Sequence, residues 1–313
     1  MYRFIIRRFL LSLPTLLIVS MFIFAMIRLD PDAIVAARLG EGYTPEQAVV
    51  IKHEYGLDKP IATEYVKWLG KVVRGDWGTS AYTYKPVLEE MGPRIAVTLE
   101  LASFSVIFAI IIGVPIGVLS AMRQDEWPDY VLRSVAIFGL AVPGFYIATV
   151  LLALLAKNFG WAPDLRYKSF TEDPIANLQQ IALPAFILSL GTAAALMRFS
   201  RTMMLDVLRQ DYIRTAWAKG LRERVIIVRH ALKNAMLPVV TVIGLTMAAL
   251  VGGTVIFEQI FSIPGLGYHL IRSVFQKDFA VVQGVALFFS LAVVAVNLAV
   301  DVSYTILDPR ERS

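Results

Sequence analysis

The chain runs to 313 residues, 57% of them hydrophobic and 18% charged, with a formal charge of +5 and no cysteine. Soluble domains carry roughly 45–50% apolar and about 25% charged residues. The excess here is gathered into unbroken runs, which excludes a single soluble core. The missing cysteines exclude disulfides, thiolate metal sites and cysteine nucleophiles.

Each apolar run is long enough to cross a bilayer, which takes about 20 residues at helical rise. In lipid the backbone must satisfy its own polar groups, which leaves helices or a closed barrel. The runs do not alternate with period two, so the sequence predicts helices and not an outer-membrane barrel. The pI near 9.3 does not point to nucleic acid, because the basic residues collect beside the apolar runs, where membrane topology places them.

The first predicted span is Phe9–Ile27, preceded by Arg3, Arg7 and Arg8. A secretory signal shares this layout, but the apolar stretch is longer than usual. Met26-Ile27-Arg28-Leu29-Asp30 also offers no small-x-small cleavage site, so an uncleaved span is expected. The loop Asp30–Arg94 follows. In it Thr44-Pro45-Glu46 reads as a helix N-cap, a Pro at N1 and an acidic first turn. Pro60 opens a second segment with Tyr65 and Trp68, and Gly75-Asp76-Trp77-Gly78 reads as a turn that sets Trp77 at the headgroup level.

Five further spans are predicted at Ile95–Ser120, Val131–Ala156, Ile181–Met197, Met236–Phe257 and Val281–Leu307. Pro14, Pro115, Pro143, Pro184 and Pro238 fall inside or at the ends of spans, where they can kink a helix. Six spans put both termini on one side, and the basic N-terminus with Arg310 and Arg312 makes that side cytoplasmic. The stretch Arg198–Lys233 agrees: Arg198, Arg201, Arg209, Arg214, Lys219, Arg222, Arg224, Arg229 and Lys233 stand against Asp206, Asp211 and Glu223. The expected organisation is a first span with an extracytoplasmic loop over 1–94, then a five-helix core over 95–313 with a cytoplasmic loop at 198–235.

Within that loop Asp211 is a candidate N-cap, and its charge suits a helix N-terminus. Ala216 and Ala218 are small enough for close approach, and Gly220 fits the left-handed position that ends a helix. A second helix is expected next, with Leu221, Val225, Val228 and Leu232 on one stripe. Such a short basic helix either fits a groove on a cytoplasmic partner and passes rigid-body motion to the spans, or lays its arginines on anionic lipid.

The residues Asp211, Tyr212, Arg214, Thr215, Ala216, Ala218, Lys219 and Gly220, then His230, Ala231, Leu232, Asn234, Ala235 and Pro238, stand at fixed spacing. This pattern resembles the EAA loop of ABC-importer permeases, in the variant of the dipeptide and oligopeptide family (B-type permeases). The Glu of the general motif and its final Pro are absent, since those places hold Arg214 and Lys233. Tyr55-Gly56-Leu57-Asp58-Lys59-Pro60, Gly75–Gly78, Phe257–Gly267 and Asp308-Pro309-Arg310 resemble the same family, while Leu29-Asp30-Pro31-Asp32 departs from it. The resemblance implies an all-α integral membrane protein with six transmembrane helices, a type I ABC importer permease, in a bacterial or archaeal cytoplasmic membrane. It also implies a second homologous permease, two cytoplasmic ABC ATPase subunits and an extracytoplasmic solute-binding protein. Asp211–Gly220 would then couple ATPase motion to alternating access.

No G-x-x-x-x-G-K-[ST] loop is present. ATP and Mg²⁺ are therefore expected in the partner subunits, with no catalytic or cofactor-binding residue in this chain. His53, His230 and His269 are scattered, and no metal site is expected. Gly252 and Gly253 suit close packing, either with the partner permease or within the chain, and Glu258 opens a Gly- and Pro-rich segment that is a candidate pathway contact. Glu100 and Asp301 are carboxylates near span ends. An autonomous secondary transporter would need polar residues converging at the midplane or inverted repeats, and a membrane enzyme a cluster of acid–base residues. The sequence offers neither.

Overall fold

A computed structural model of the chain describes residues 2–40, 42–54, 56–164 and 166–307. Tyr55, the Asp308-Pro309-Arg310 motif and Arg312 lie outside the described residues. The elements are α1 (Tyr2–Arg28), α2 (Pro31–Leu39), α3 (Pro45–Glu54), α4 (Ile61–Val73), α5 (Val87–Met122), α6 (Trp127–Ala141), α7 (Gly144–Phe159), α8 (Pro174–Leu208), α9 (Asp211–Ala218), a short α10 (Glu223–Val225), a π-helix (Ile226–Leu232), α11 (Lys233–Ile260), α12 (Leu266–Phe275) and α13 (Phe279–Leu307). Among the described residues the one β pairing is an isolated bridge between Thr79 and Pro86.

Four helices, α1, α5, α8 and α13, are long and apolar enough to cross a membrane, and the number rises to six if each of two bent pairs is one span. The predicted third span is one of these pairs. It is not a straight helix but breaks by 91° between α6 and α7. Pro143 permits the break: it has no N–H to donate, and Val142 before it is extended, at φ −96° and ψ 121°. The other pair, Glu223–Met236 with Pro238–Met247, bends by 52° at the start of the predicted fifth span. The second and fourth spans extend well beyond their apolar cores, to 36 residues in α5 and 35 in α8.

The chain forms two compact units, one of Leu99–Ile263 with the chain from Val296 onward, the other of Tyr2–Thr98 with Pro264–Ala295. In the first unit α5 and α8 approach closely. A Cβ on Gly117 would stand 2.5 Å from the Met197 carbonyl oxygen, so the contact requires glycine. Ala109, Ala193, Leu196 and Val239 form one buried cluster here and Ala136, Ala194 and Met197 another.

In the second unit Val87, Met91, Leu266, Val281 and Val285 make the core. Trp77 is half-buried against that core. The predicted cap at Thr44 is a capping box, with the Thr44 N–H donating to Gln47 Oε1 at 2.9 Å and the Gln47 N–H to Thr44 Oγ1 at 3.4 Å. Tyr65 and Trp68 of α4 pack on Phe24 of α1 with ring centroids 5.5 and 5.3 Å away. Their side of α4 is fastened further by a 2.8 Å hydrogen bond between Tyr65 and Ser20.

Candidate functional site

The helix α9 forms where the sequence places it. Its N-cap is Gln210, not Asp211, and no side chain caps it. Asp211 is the first helical residue and meets the Arg214 guanidinium at 3.3 Å. The carboxylate still lies in the first turn, where it complements the helix dipole. Gly220 has φ +70°, the left-handed conformation. Its N–H donates to the Trp217 carbonyl at 2.9 Å and the Leu221 N–H to the Ala216 carbonyl at 3.4 Å. These two bonds are the Schellman arrangement, which satisfies carbonyls that the helix end leaves open.

One face of α9 is buried. Ile213 and Ala216 pack with Ala121 of α5, Met204 of α8, and Ile226, Ile227, Ala231 and Ala235. The rest of the predicted motif points outward: Asp211, Tyr212, Arg214, Thr215, Ala218, Lys219 and Gly220 are exposed, and so is Trp217. Ala216 therefore serves packing within the chain, and the outward face combines two aromatic rings with both signs of charge.

The helix expected after Gly220 is of a different kind. Residues Ile226–Leu232 form a π-helix, whose bonds join i to i+5. This period stacks Ile226 over Ala231, so the buried residues are Ile226, Ile227, Ala231 and Ala235. Leu221, Val225 and Val228, expected on the inner stripe, are exposed. Asn234 then ties the segment back to α9, donating to the Tyr212 hydroxyl at 2.8 Å and to the His230 carbonyl at 3.0 Å.

The remaining predicted residues are spread over other parts of the first unit. Gly252 is exposed with open space around it, and Gly253 has Leu188 as its neighbour at 4.0 Å. Glu258 is fully buried. Glu100 on α5 accepts from the Tyr167 hydroxyl. Burial and this carboxylate push the Tyr167 phenol above its ordinary range, so it stays a donor. Asp301 is half-buried on α13. Arg201, read as part of a cytoplasmic loop, stands on α8, where Asp129 takes its guanidinium. The sequence reading did not single out Asp129; an acid directly after Trp127-Pro128 at a helix start was the available signal. Among the described residues no three His, Cys, Asp or Glu side chains could jointly hold a metal ion.

Several helices long and apolar enough to cross a membrane, with a short helix and glycine turn between two of them, define a multi-span membrane protein. The chain belongs to the family described as binding-protein-dependent transport system inner membrane component: that family's model matches residues 113–313, and the model of its N-terminal part matches residues 1–102. The oligopeptide transport system permease AppB of Bacillus subtilis is 39% identical over 313 residues, covering 99% of each chain. The glutathione transport system permease GsiC of Salmonella choleraesuis is 36% identical over 314 residues, covering 100% of this chain and 99% of its own. A solved chain of the MetNI methionine ABC transporter, from inward facing crystals, matches with a TM-score of 0.59 at 17% identity, over 71% of this chain and 97% of that one. The fold is thus that of an ABC importer permease. The chain is a multi-pass inner-membrane permease subunit, and not an enzyme; in this family ATP hydrolysis belongs to separate ATPase subunits, and a binding protein delivers the solute.

Proposed function

We propose that this permease carries peptides, beside a second, related permease and above two cytoplasmic ATPase subunits, by alternating access. Relatives named for oligopeptide and glutathione transport match it nearly end to end, and glutathione is itself a tripeptide, so small peptides are the class these names share. Both termini are taken as cytoplasmic, with 1–94 as the first span and its extracytoplasmic loop and 95–313 as the core. Gly252 and Gly253 are assigned to the contact with the second permease.

The observation that carries the reading is α9. A helix of eight residues ends in a fixed glycine turn, is held from within by Ile213 and Ala216, and exposes Tyr212 and Trp217 beside Arg214 and Lys219. Aromatic and arginine side chains on a rigid support suit a partner's groove. The ATPase subunits would seat on this face, and their closure would move α9 as a solid piece. The test is to isolate the complex through a tag on this chain and measure ATPase activity, beside a Gly220→Asp variant. ATPase subunits and a second permease should accompany the wild type, and Gly220→Asp should lose them or their stimulated hydrolysis. A wild-type chain that purifies alone, without ATPase, ends the proposal.

A further inference from the structure

We infer that Asp129 is a positioning residue that pins the start of α6 to α8, making the neighbouring ends of α5, α6 and α8 one block with α9. The inference rests on the proposed reading of α9 as the ATPase-facing helix.

The Asp129 side chain is fully buried. An ionised carboxylate is stable there only when its oxygens are paired and hydrogen-bonded. Arg201 Nε donates to Oδ1 at 2.8 Å, and a terminal nitrogen of the same guanidinium donates to Oδ2 at 2.7 Å. The Ser120 hydroxyl donates to Oδ1, and the Asp125 N–H to Oδ2 at 3.1 Å. One carboxylate thus joins the last turn of α5, the α5–α6 turn, the start of α6 and the α8 helix. A two-pronged pairing fixes angle as well as distance.

The position of this node gives it a mechanical meaning. Ala121, next to Ser120, is buried in the same cluster as Ile213 and Ala216 of α9 and Met204 of α8. A displacement of α9 therefore presses on α5 and α8 beside the carboxylate. Among the described residues α6 contributes nothing to that cluster. It meets α8 through Leu132 and Ala136 against Ala194 and Met197, an apolar contact that is non-directional and can slide. The Asp129–Arg201 fork cannot slide. At its other end α6 reaches the 91° break at Pro143, so a movement received at Asp129 is carried along α6 to a natural hinge.

The experiment uses the complex isolated through this chain and reconstituted in nanodiscs. The chain has no cysteine, so spin labels go on Trp127→Cys and Gln210→Cys, both exposed. Label distances and ATP hydrolysis are read with and without the solute-binding protein. Wild type should give one narrow distance whether or not ATP is bound. Asp129→Asn should at least double the width of that distribution and cut binding-protein stimulation at least fivefold, with basal hydrolysis within twofold. Asp129→Asn with Arg201→Gln leaves no unpaired buried charge and should show the same broadening, while Arg201→Lys, which keeps the charge and loses the fork, should fall between. The inference is overturned if Asp129→Asn keeps a narrow distance and full stimulation, or if basal and stimulated hydrolysis fall together in every variant, as loss of packing alone would give. The α9 reading has its own control: if Trp217→Ala leaves stimulation intact, that reading fails. If Trp217→Ala abolishes stimulation and Asp129→Asn does not, only the inference about Asp129 fails.

Discussion

Asn234 donates its side-chain amide to the Tyr212 hydroxyl at 2.8 Å across a sequence separation of 22 residues. The bond fastens α9 to the first turn of α11 along the edge of the buried face made by Ile213 and Ala216. Both residues are solvent-exposed, so the net contribution to stability is small, about 1 kcal/mol or less. Tyr212→Phe should therefore leave the melting temperature almost unchanged and loosen α9 locally. Hydrogen exchange read by mass spectrometry should show faster exchange at the α9 amides and unchanged exchange in α5 and α8. Equal α9 exchange in the two proteins would mean that the inner face alone holds this helix.

Gly220 is at φ +70°, and a Cβ built there meets nothing within 4 Å. Substitution is therefore a test of backbone conformation without a clash. For a residue with a Cβ the left-handed conformation costs roughly 1–2 kcal/mol, and Asn tolerates it better than other residues. Gly220→Ala should lower the thermal stability of the purified complex by that amount and Gly220→Asn by clearly less. If the two variants melt together, the turn is not what limits stability.

The helices and the glycine turn were legible because each has a local cause. Apolar runs drive α5, α8 and α13, and Gly220 carries the stop of α9, whereas its start falls one residue before the expected cap, at Gln210. Two features were not legible, for different reasons. The 91° break at Pro143 had its proline in view, but a proline in a membrane helix is compatible with either a kink or a full reversal, and packing decides between them. The node at Asp129 depends on Arg201, 72 residues further on, and no local pattern announces such a pairing. Of the stripe expected after Gly220, Leu221 precedes the helix, Val225 ends α10 and Val228 is turned outward by the π-helix, while Leu232 packs against the buried cluster.

That π-helical register makes a direct contrast between two neighbouring residues. Ala231 is fully buried, while Val228 is 55% exposed. An α-helical register would have placed Val228 inside. Ala231→Leu forces extra volume into a filled cluster and should cost about 1–3 kcal/mol. Val228→Ser should change stability by about 0.5 kcal/mol or less, as surface substitutions do. Thermal melting of the two variants decides the matter, and the reverse order would restore the α-helical register.

His269 on α12 is buried, with Nε2 3.2 Å from the Glu90 carboxylate. Glu90 also accepts from the Thr83 hydroxyl. Burial, with the positive charge of Arg94 and Arg272 beside it, holds the imidazole below its ordinary pKa against the opposite pull of Glu90 and Asp278. The sign of the pH effect follows. Below the unfolded value of about 6.5 the unfolded chain takes up a proton that the native chain refuses. The unfolded state then binds more protons, and stability rises with pH. The contribution of His269 is thus fully present above about pH 6.5 and is lost as pH falls toward the depressed native value. Melting temperatures at pH 7.5, 6.5 and 5.5 should fall with acidity in the wild type, and His269→Gln should make that fall shallower even if it lowers stability at every pH. A steeper fall in His269→Gln would mean that the imidazole takes its proton in the native protein and pairs with Glu90 as a cation.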